Sequence, residues 1–313
     1  MKKRLMAAVL STAMAATMLL TGSISVQAAD AAAANDPAVE LIFTSVSVSG
    51  DSHTEAMYEF ADKVEELSGG SVTCKCYDNG SLFSSENEFD ALLNGDADLA
   101  YISFPTIATQ IPSYSMFASG YLFSSYEHMT SVLNGDIGLN KIRPQIEETL
   151  NIKPLSSFYL GSRVINTREK EINSYDDMNG LLLRMPNSEA WLFLGEALGA
   201  NPTPLSFSEL YTALQTGAVD AQDNPLPSIE SAKFYEVTKY IAITNHVVDS
   251  IMPCINGDTW NSMTEAQQEA VTEAMEYARD VNDTARLDRE AELIKFFEEQ
   301  GLTVTSVSYT HLR

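Results

Sequence analysis

The run GLLLRMPNSEAWLFLGEALGANPTPLSFSELYTALQTGAVDAQDNPLPS, from Gly180 to Ser228, is the stretch from which the fold and the working part of this chain are read. Its only basic residue is Arg184, set in a leucine-rich run and followed at once by Met185, Pro186 and Asn187, which marks the exit of a buried strand. A cation in that setting needs an anion. Either a carboxylate of its own chain supplies it, with Asp177 and Glu189 the nearest candidates, or a bound molecule does. Downstream, Asn201-Pro202-Thr203-Pro204 leads into Ser206-Phe207-Ser208-Glu209, the capping signature of a helix through Tyr211, Leu214 and Gln215 to Gly217. Val219-Asp220-Ala221 reads as a short strand that ends at Gln222-Asp223-Asn224-Pro225-Leu226. Two strand exits and one helix start thus deliver Arg184, Phe207 and Asn224 to one edge, where the ligands of α/β proteins collect. A guanidinium fork, an aromatic plate and an amide together suit an organic acid.

The chain has 313 residues, 45% of them hydrophobic, enough for two lobes with cores of their own. It opens with Lys2, Lys3 and Arg4, an alanine-rich apolar core from Leu5 to about Leu20, and the small-x-small signal Val26-Gln27-Ala28. Residues 1–29 therefore read as a secretory signal peptide and 30–37 as a flexible leader. The apolar core falls short of the roughly 20 residues a membrane span needs. Removal of the three cations takes the net charge from -24 to -27. Such a chain repels nucleic acid and anionic lipid, so neither is an expected partner. Cys74, Cys76 and Cys254 have neither a disulfide framework nor metal spacing and read as buried free thiols. His53, beside Asp51 and Ser52, reads as a solvated helix start, and His128 as part of a surface helix. No HExxH or GxSxG pattern is present, and neither a catalytic residue, a metal site nor a cofactor is expected.

Before this stretch, strands over Val39–Ser49, Ser71–Tyr77 and Asp98–Ile102 alternate with helices over Ser52–Leu67 and Glu86–Leu93. That order implies a parallel sheet with right-handed crossovers. The aromatic run Tyr114, Phe117, Tyr121, Phe123, Tyr126 is expected mostly in core and inter-lobe packing. A strand around Lys153–Tyr159 precedes the crossing into the second lobe at Gly161-Ser162-Arg163. Lys239–Ile243 is read as a strand ending at Thr244-Asn245-His246, and Ser250–Ile255 as a second strand returning to the first lobe. Thr264-Glu265-Ala266-Gln267 is a capping box, and with no proline or glycine before Gly301 one helix can run from it for about 37 residues and about 55 Å. A helix of that length must bridge two lobes.

The motifs LRMPNS, NPTPLSFSELYTALQTGAVDAQDNPL, KFYEV and ITNH, between Arg184 and His246, resemble the solute-binding subunits of TRAP (tripartite ATP-independent periplasmic) transporters of the DctP class. The resemblance covers nearly all of the mature chain and is strongest from Gly161 to Asp249. It implies an α/β, two-lobed periplasmic-binding-protein-like fold with a long helix bridging both lobes. Lobe I would span 38–160, completed by about 250–289, and lobe II 161–249, completed by about 290–313. In such proteins a Gly-x-Arg supplies a second arginine, which here is Arg163. The resemblance also puts His246 near the ligand, against the alternative of a hydrogen-bonded core histidine, and matches Ser103 to a ligand-contacting position. Arg184 would be the main carboxylate clamp, Asn224 the amide partner and Phe207 the packing plate.

The implied function is capture of an organic acid (C4-dicarboxylate, keto acid or sugar acid) outside the cytoplasm and delivery to membrane permease subunits, by a monomer. A ligand-sensing receptor for a sensor kinase is the alternative. The chain departs from the family pattern at Asp78 and Leu82-Phe83, where a proline and Leu-Gly are usual. Sialic-acid binders carry amide and acidic groups at the positions of Val46, Ser84 or Ser85, and Ser103, so sialic acid is not the expected ligand. Relatives continue somewhat past the position of Arg313, so a native tail is expected beyond it.

Overall fold

The computed structural model describes residues 36–307. The signal peptide expected over 1–29, most of the leader over 30–37 and the tail from 308 lie outside the described residues. At the end of the leader, Asp36 and Pro37 accept hydrogen bonds from the Thr264 hydroxyl and the Gln267 amide.

The first lobe begins with β1 (Val39–Thr44), α1 (Ser52–Leu67), β2 (Val72–Tyr77), α2 (Glu88–Asn94) and β3 (Leu99–Ile102). The α1 helix starts where the Asp51 side chain accepts from the His53 amide, and Ala56, Phe60 and Val64 bury one face at helical spacing. As the alternation of strand and helix requires, β1 pairs in parallel with both β2 and β3. Two short helical turns, α3 (Tyr126–Leu133), α4 (Arg143–Leu150) and β4 (Ile152–Pro154) complete this part. β5 (Phe158–Thr167) crosses from the first lobe, where Phe158 and Tyr159 pack, into the second, which contains β6 (Leu182–Met185), α5 (Glu189–Ala197), β7 (Asn201–Pro204), α6 (Phe207–Thr216), β8 (Ala221–Pro225) and α7 (Leu226–Ser231). The chain ends with β9 (Tyr240–Asn256), α8 (Gly257–Ser262), α9 (Glu265–Glu299) and β10 (Thr303–Ser306).

The strands join in the order β2-β1-β3-β9-β5-β8-β6-β7, with β4 and β10 pairing to β9 off this path. One 17-residue strand, β9, replaces the two strands expected over 239–243 and 250–255. Its first residues pair with β10 and its last with β3 and β4, so it belongs to both lobes. The expected stop at Thr244-Asn245-His246 is a bulge: Asn245 takes a φ of 45°, and the register against β5 shifts there while both halves stay paired to the same strand. Likewise, β8 runs on through the residues expected to leave it, because Val164 and Arg163 of β5 pair with Asn224 and Pro225.

The other shared element is α9, 35 residues and about 52 Å long. Its capping box forms as the sequence predicts, with Thr264 and Gln267 bonded reciprocally. Val271, Ala274 and Met275 in its first half pack with Leu41, Phe43 and Phe60 of the first lobe. Leu293 and Phe297 in its second half pack with Leu210, Leu214 and Phe234 of the second. Neither lobe has a complete core without this helix. Among the described residues no helix is long and apolar enough to cross a membrane.

Gly161 stands where β5 passes between the lobes, at a register shift against β9. Its φ is +121°, and a Cβ there would sit 2.5 Å from the Pro225 side chain. Glycine is required both by the backbone conformation and by the close approach of β8. Gly161→Ala is therefore expected to lower the unfolding free energy by about 2 to 4 kcal/mol, checked by urea denaturation; a midpoint equal to wild type would contradict this.

Candidate functional site

A cavity of about 320 Å3 lies between the lobes, walled by the ends of β1, β3, β5, β6, β8 and β9 and by the start of α2 and α6. Of the residues singled out from the sequence, Arg184, Arg163, Asn224, Phe207 and Ser103 all line it. His246 does not. It is wholly buried, with Nδ1 2.7 Å from the Thr244 hydroxyl and Nε2 3.4 Å from Asp223 Oδ1, so the core reading of this histidine replaces the ligand contact. Its place on the bulge of β9 turns the ring toward Asp223 behind the cavity wall.

The two arginines differ in their surroundings. Arg163, on β5, donates from Nε to Asp249 Oδ2 at 2.8 Å and from Nη1 to Asp223 Oδ1 at 3.1 Å and the Asp223 carbonyl at 2.5 Å. Its guanidinium also lies over the Trp191 ring, 4.3 Å from the centroid. Burial acts to lower its pKa, yet Asp223 and Asp249 outweigh it and hold the cation firmly. Arg163 is thus not a second unpaired cation: its charge is already matched within the chain. Asp223 answers in kind: burial would raise its carboxyl, but Arg163 and His246 hold it down at about 2.

Arg184, at the end of β6, is 3% exposed and donates from Nε to the Leu205 carbonyl at 2.8 Å. Phe207 lies beside the guanidinium, 6.0 Å from ring centroid to Cζ. Among the described residues no carboxylate lies within 4.0 Å of it, neither Asp177 nor Glu189 included. Asp177 instead accepts from Ser174 and the Asn173 amide in a surface turn. Burial first, and then the neighbouring Arg163, push the Arg184 pKa down to about 9. A buried guanidinium in that state gains strongly from any anion that reaches it.

Asn224 is oriented by a chain of amides. Its Nδ2 donates to Gln222 Oε1 at 2.7 Å, Gln222 donates to Asn166 at 3.1 Å, and Asn166 donates to Thr238 and the Tyr240 carbonyl. Ser206, expected to cap α6, makes no capping bond. Its hydroxyl donates instead to Glu86 Oε1 of the first lobe at 2.5 Å, across the cleft.

Sequence reasoning missed the floor of the cavity. Arg286, in the second half of α9, is 1% exposed and lines it together with Asp51 and Ser228. Its Nη2 is 2.7 Å from Asp51 Oδ1, and Nε and Nη2 lie 3.1 and 2.7 Å from His53 Nδ1. The same Nδ1 lies 3.2 Å from Asp51 Oδ1, so it faces two donors and one acceptor, while Nε2 is buried without a partner. His53 is therefore not a solvated helix start; it is buried and stacked on Phe158. Burial, and then Arg286, push its pKa down to about 4. Burial opposes ionisation of Asp51, but Arg286 and His53 hold its carboxyl well below the usual range. The available signal was the run of polar residues Asn282, Asp283 and Arg286 on the buried stripe of α9. Among the described residues no group of His, Cys, Asp and Glu is arranged to hold a metal, and Cys74, Cys76 and Cys254 are free, the first two only half-buried.

The family model for bacterial extracellular solute-binding protein, family 7 (DctP), matches residues 43–313. The sialic acid-binding periplasmic protein SiaP of Vibrio cholerae is 34% identical over 245 residues, 78% of this chain and 76% of that protein. A TRAP periplasmic solute binding protein from Roseobacter denitrificans, solved with bound 3-deoxy-D-manno-oct-2-ulosonic acid, is 38% identical, with a TM-score of 0.83 over 88% of this chain and 90% of that one. A second from the same organism, with bound L-galactonate, is 30% identical, with a TM-score of 0.83 over 88% and 91%.

The folded His53 takes up its proton at a lower pH than the unfolded chain does, so the unfolded state binds more protons between about 6.5 and about 4. The His53 contribution to stability is complete above pH 6.5 and is lost as pH falls toward 4, by up to about 3 kcal/mol. His53→Gln, which keeps an acceptor for Arg286 but cannot titrate, is expected to flatten the pH dependence of the unfolding free energy in that window. Denaturant titrations at pH 7, 6 and 5 on both proteins measure it; parallel curves would show that His53 contributes nothing.

Proposed function

Because this chain belongs to the DctP family of bacterial extracellular solute-binding proteins, the solute-capturing subunits of TRAP transporters, we propose that the acid it captures is a polyhydroxy monocarboxylate of the sugar-acid class. The observation that carries this is the charge pattern of the cleft. One buried guanidinium, Arg184, has no carboxylate of the chain within 4.0 Å among the described residues, while Arg163 and Arg286 are already paired. A single carboxylate is therefore the natural guest. A second one would meet Asp51, Glu86 and Asp249 elsewhere on the cavity wall, and like charges in a buried site repel strongly. The same three carboxylates are acceptors for the hydroxyls of a sugar acid. This favours a sugar acid over the C4-dicarboxylate that the family also suggests.

The carboxylate would lie against Arg184, with Phe207 packed beside it and Asn224 as amide partner, and Ser103 would face it from the first lobe. Two charge-assisted hydrogen bonds of about 1.5 to 3 kcal/mol each supply roughly half of what micromolar binding requires. Contacts made only when the lobes meet supply the remainder and shift the population toward the closed form. The relatives solved with ulosonate and L-galactonate support this class of ligand. Sialic acid, bound by the Vibrio cholerae relative, is disfavoured by Val46, Ser85 and Ser103 on the first-lobe wall. The protein would act outside the cytoplasm as a monomer, deliver its solute to the membrane permease subunits, and require no cofactor and no covalent step.

Isothermal titration with galactonate, glucuronate and succinate tests the assignment. At least one hydroxylated monocarboxylate is expected to bind about tenfold tighter than succinate, a margin of ~1.4 kcal/mol; succinate as the tightest of the three would overturn the sugar-acid reading. Arg184→Lys keeps the charge but loses the fork, and is expected to weaken the best ligand by roughly 30-fold, about 2 kcal/mol. Unchanged affinity in that variant would remove Arg184 from the site.

A further inference from the structure

Glu88 opens α2 and lines the cleft on the wall built by the first lobe, yet it is 4% exposed. Its Oε1 is sealed from water and has no hydrogen-bond partner, and no Lys, Arg or His among the described residues lies within 4.0 Å of the carboxyl. The side chain that bears on it is Thr44, at the end of β1. An ionised carboxylate with neither a cation nor a full set of donors is costly in such a place, whereas a neutral acid is tolerated. Burial accordingly holds the Glu88 carboxyl well above the usual carboxylate range, with only the Thr44 hydroxyl opposing.

We propose that Glu88 serves as a neutral carboxylic acid in the wall of the cleft, donating an O–H from Oε2, the oxygen that is not sealed, to an uncharged oxygen of the captured solute. The inference rests on the reading of the cleft as a sugar-acid site and names a specificity-determining residue for it. The other first-lobe groups around the cavity are acceptors when ionised: Asp51 and Glu86, joined by Asp249 from β9. Hydroxyls of the solute can donate to these. A ring or carbonyl oxygen has no hydrogen to give, and it requires a donor on the wall. Glu88 supplies one at a position where a lysine or arginine would instead attract a second carboxylate. Specificity of this kind arises because a solute lacking the matching oxygen leaves a buried donor unpaired.

The titratable groups on the elements around Glu88 are Glu86 and Asp90 on its own segment, Asp51 before α1, Tyr101 on β3, and Asp249 and Cys254 on β9. None of them is among the causes of the shift, which are burial and, against it, the Thr44 hydroxyl. The cations of the cavity, Arg163, Arg184 and Arg286, would favour the ionised form, but none is within 4.0 Å of it. Raising the pH through the elevated pKa of Glu88 therefore removes the donor and places a charge in the wall.

The test is calorimetric titration of the protein and of Glu88→Gln, Glu88→Met and Arg184→Lys with two probes, galactonate and 3-deoxy-D-manno-oct-2-ulosonate, from pH 6 to pH 9. Glu88→Gln retains a donor and cannot ionise. It is expected to bind within about threefold of wild type at pH 6 and to lose affinity less steeply than wild type as the pH rises, the fall that remains being that of Arg184, whose pKa stands at about 9. Glu88→Met is expected to bind the tighter probe roughly tenfold more weakly, while its Tm rises by several degrees because an unpaired polar group has left the interior. A residue that only packs the wall would lower Tm and affinity together and leave the pH profile of Glu88→Gln parallel to that of wild type, and that result would overturn the proposal. So would wild-type affinity for Glu88→Met. If Arg184→Lys binds as wild type or neither probe binds at all, the sugar-acid reading itself falls and this inference with it. If Arg184→Lys weakens binding while Glu88→Met does not, Glu88 alone is at fault.

Discussion

Two buried arginines stand on β5 and β6, the strands on either side of β8, and only one of them is neutralised by the chain. Arg163 is held by Asp223 and Asp249 and stacked on Trp191, so it is as fixed as the sheet itself. Arg184 has a backbone carbonyl and a phenyl ring for company but no carboxylate within ion-pair distance among the described residues. Burying a guanidinium in this way costs stability that a core of the same volume would not. An anion from outside would recover that cost by completing the pair. The depressed pKa of Arg184, with burial as its larger cause and Arg163 as its second, is the mark of that deficit.

The surrounding framework keeps the deficit in place by tying the two lobes together. One strand, β9, and one helix, α9, run through both lobes, and each contributes apolar side chains or pairing to both. Between them the lobes touch through polar contacts at the rim and at the floor of the cavity. Ser206 bonds to Glu86 near the mouth, Ser231 to Asp51 at 2.8 Å, and Arg286 to Ser228 at 3.4 Å. Contacts of this kind are modest in net energy because water replaces them when they part.

The cavity wall is also where the chain leaves polar groups incompletely satisfied. Glu88 has an oxygen with no partner, and Arg184 lacks an anion, while the amides behind Asn224 are bonded into a continuous chain. A core would be expected to satisfy such groups internally. Behind the wall the amides of Gln222 and Asn166 are bonded and fix Asn224, although Asp223 Oδ2 and His246 Nε2 there also lack a hydrogen-bond partner.

The amino-acid sequence by itself determined the parts that depend on local pattern. Period-two and period-3.6 apolar spacing, the capping box at Thr264, and the strand-exit and turn chemistry around Arg184 and Asn224 require neighbours only a few residues apart, and they pointed to the helices, the parallel first-lobe sheet and three residues that line the cleft, Arg184, Phe207 and Asn224, while Arg163 and Ser103 were named by the family resemblance. What depended on partners far along the chain was decided only by tertiary structure. Whether Arg163 and Arg184 are paired turns on Asp223 and Asp249, 60 and 86 residues from Arg163. Whether His53 is wet or buried turns on Arg286, 233 residues away. The bulge that joins two expected strands into β9, and turns His246 away from the cavity, follows from pairing with β5. Charge and burial are properties of the space around a side chain, and that space is assembled by long-range packing that no local pattern encodes.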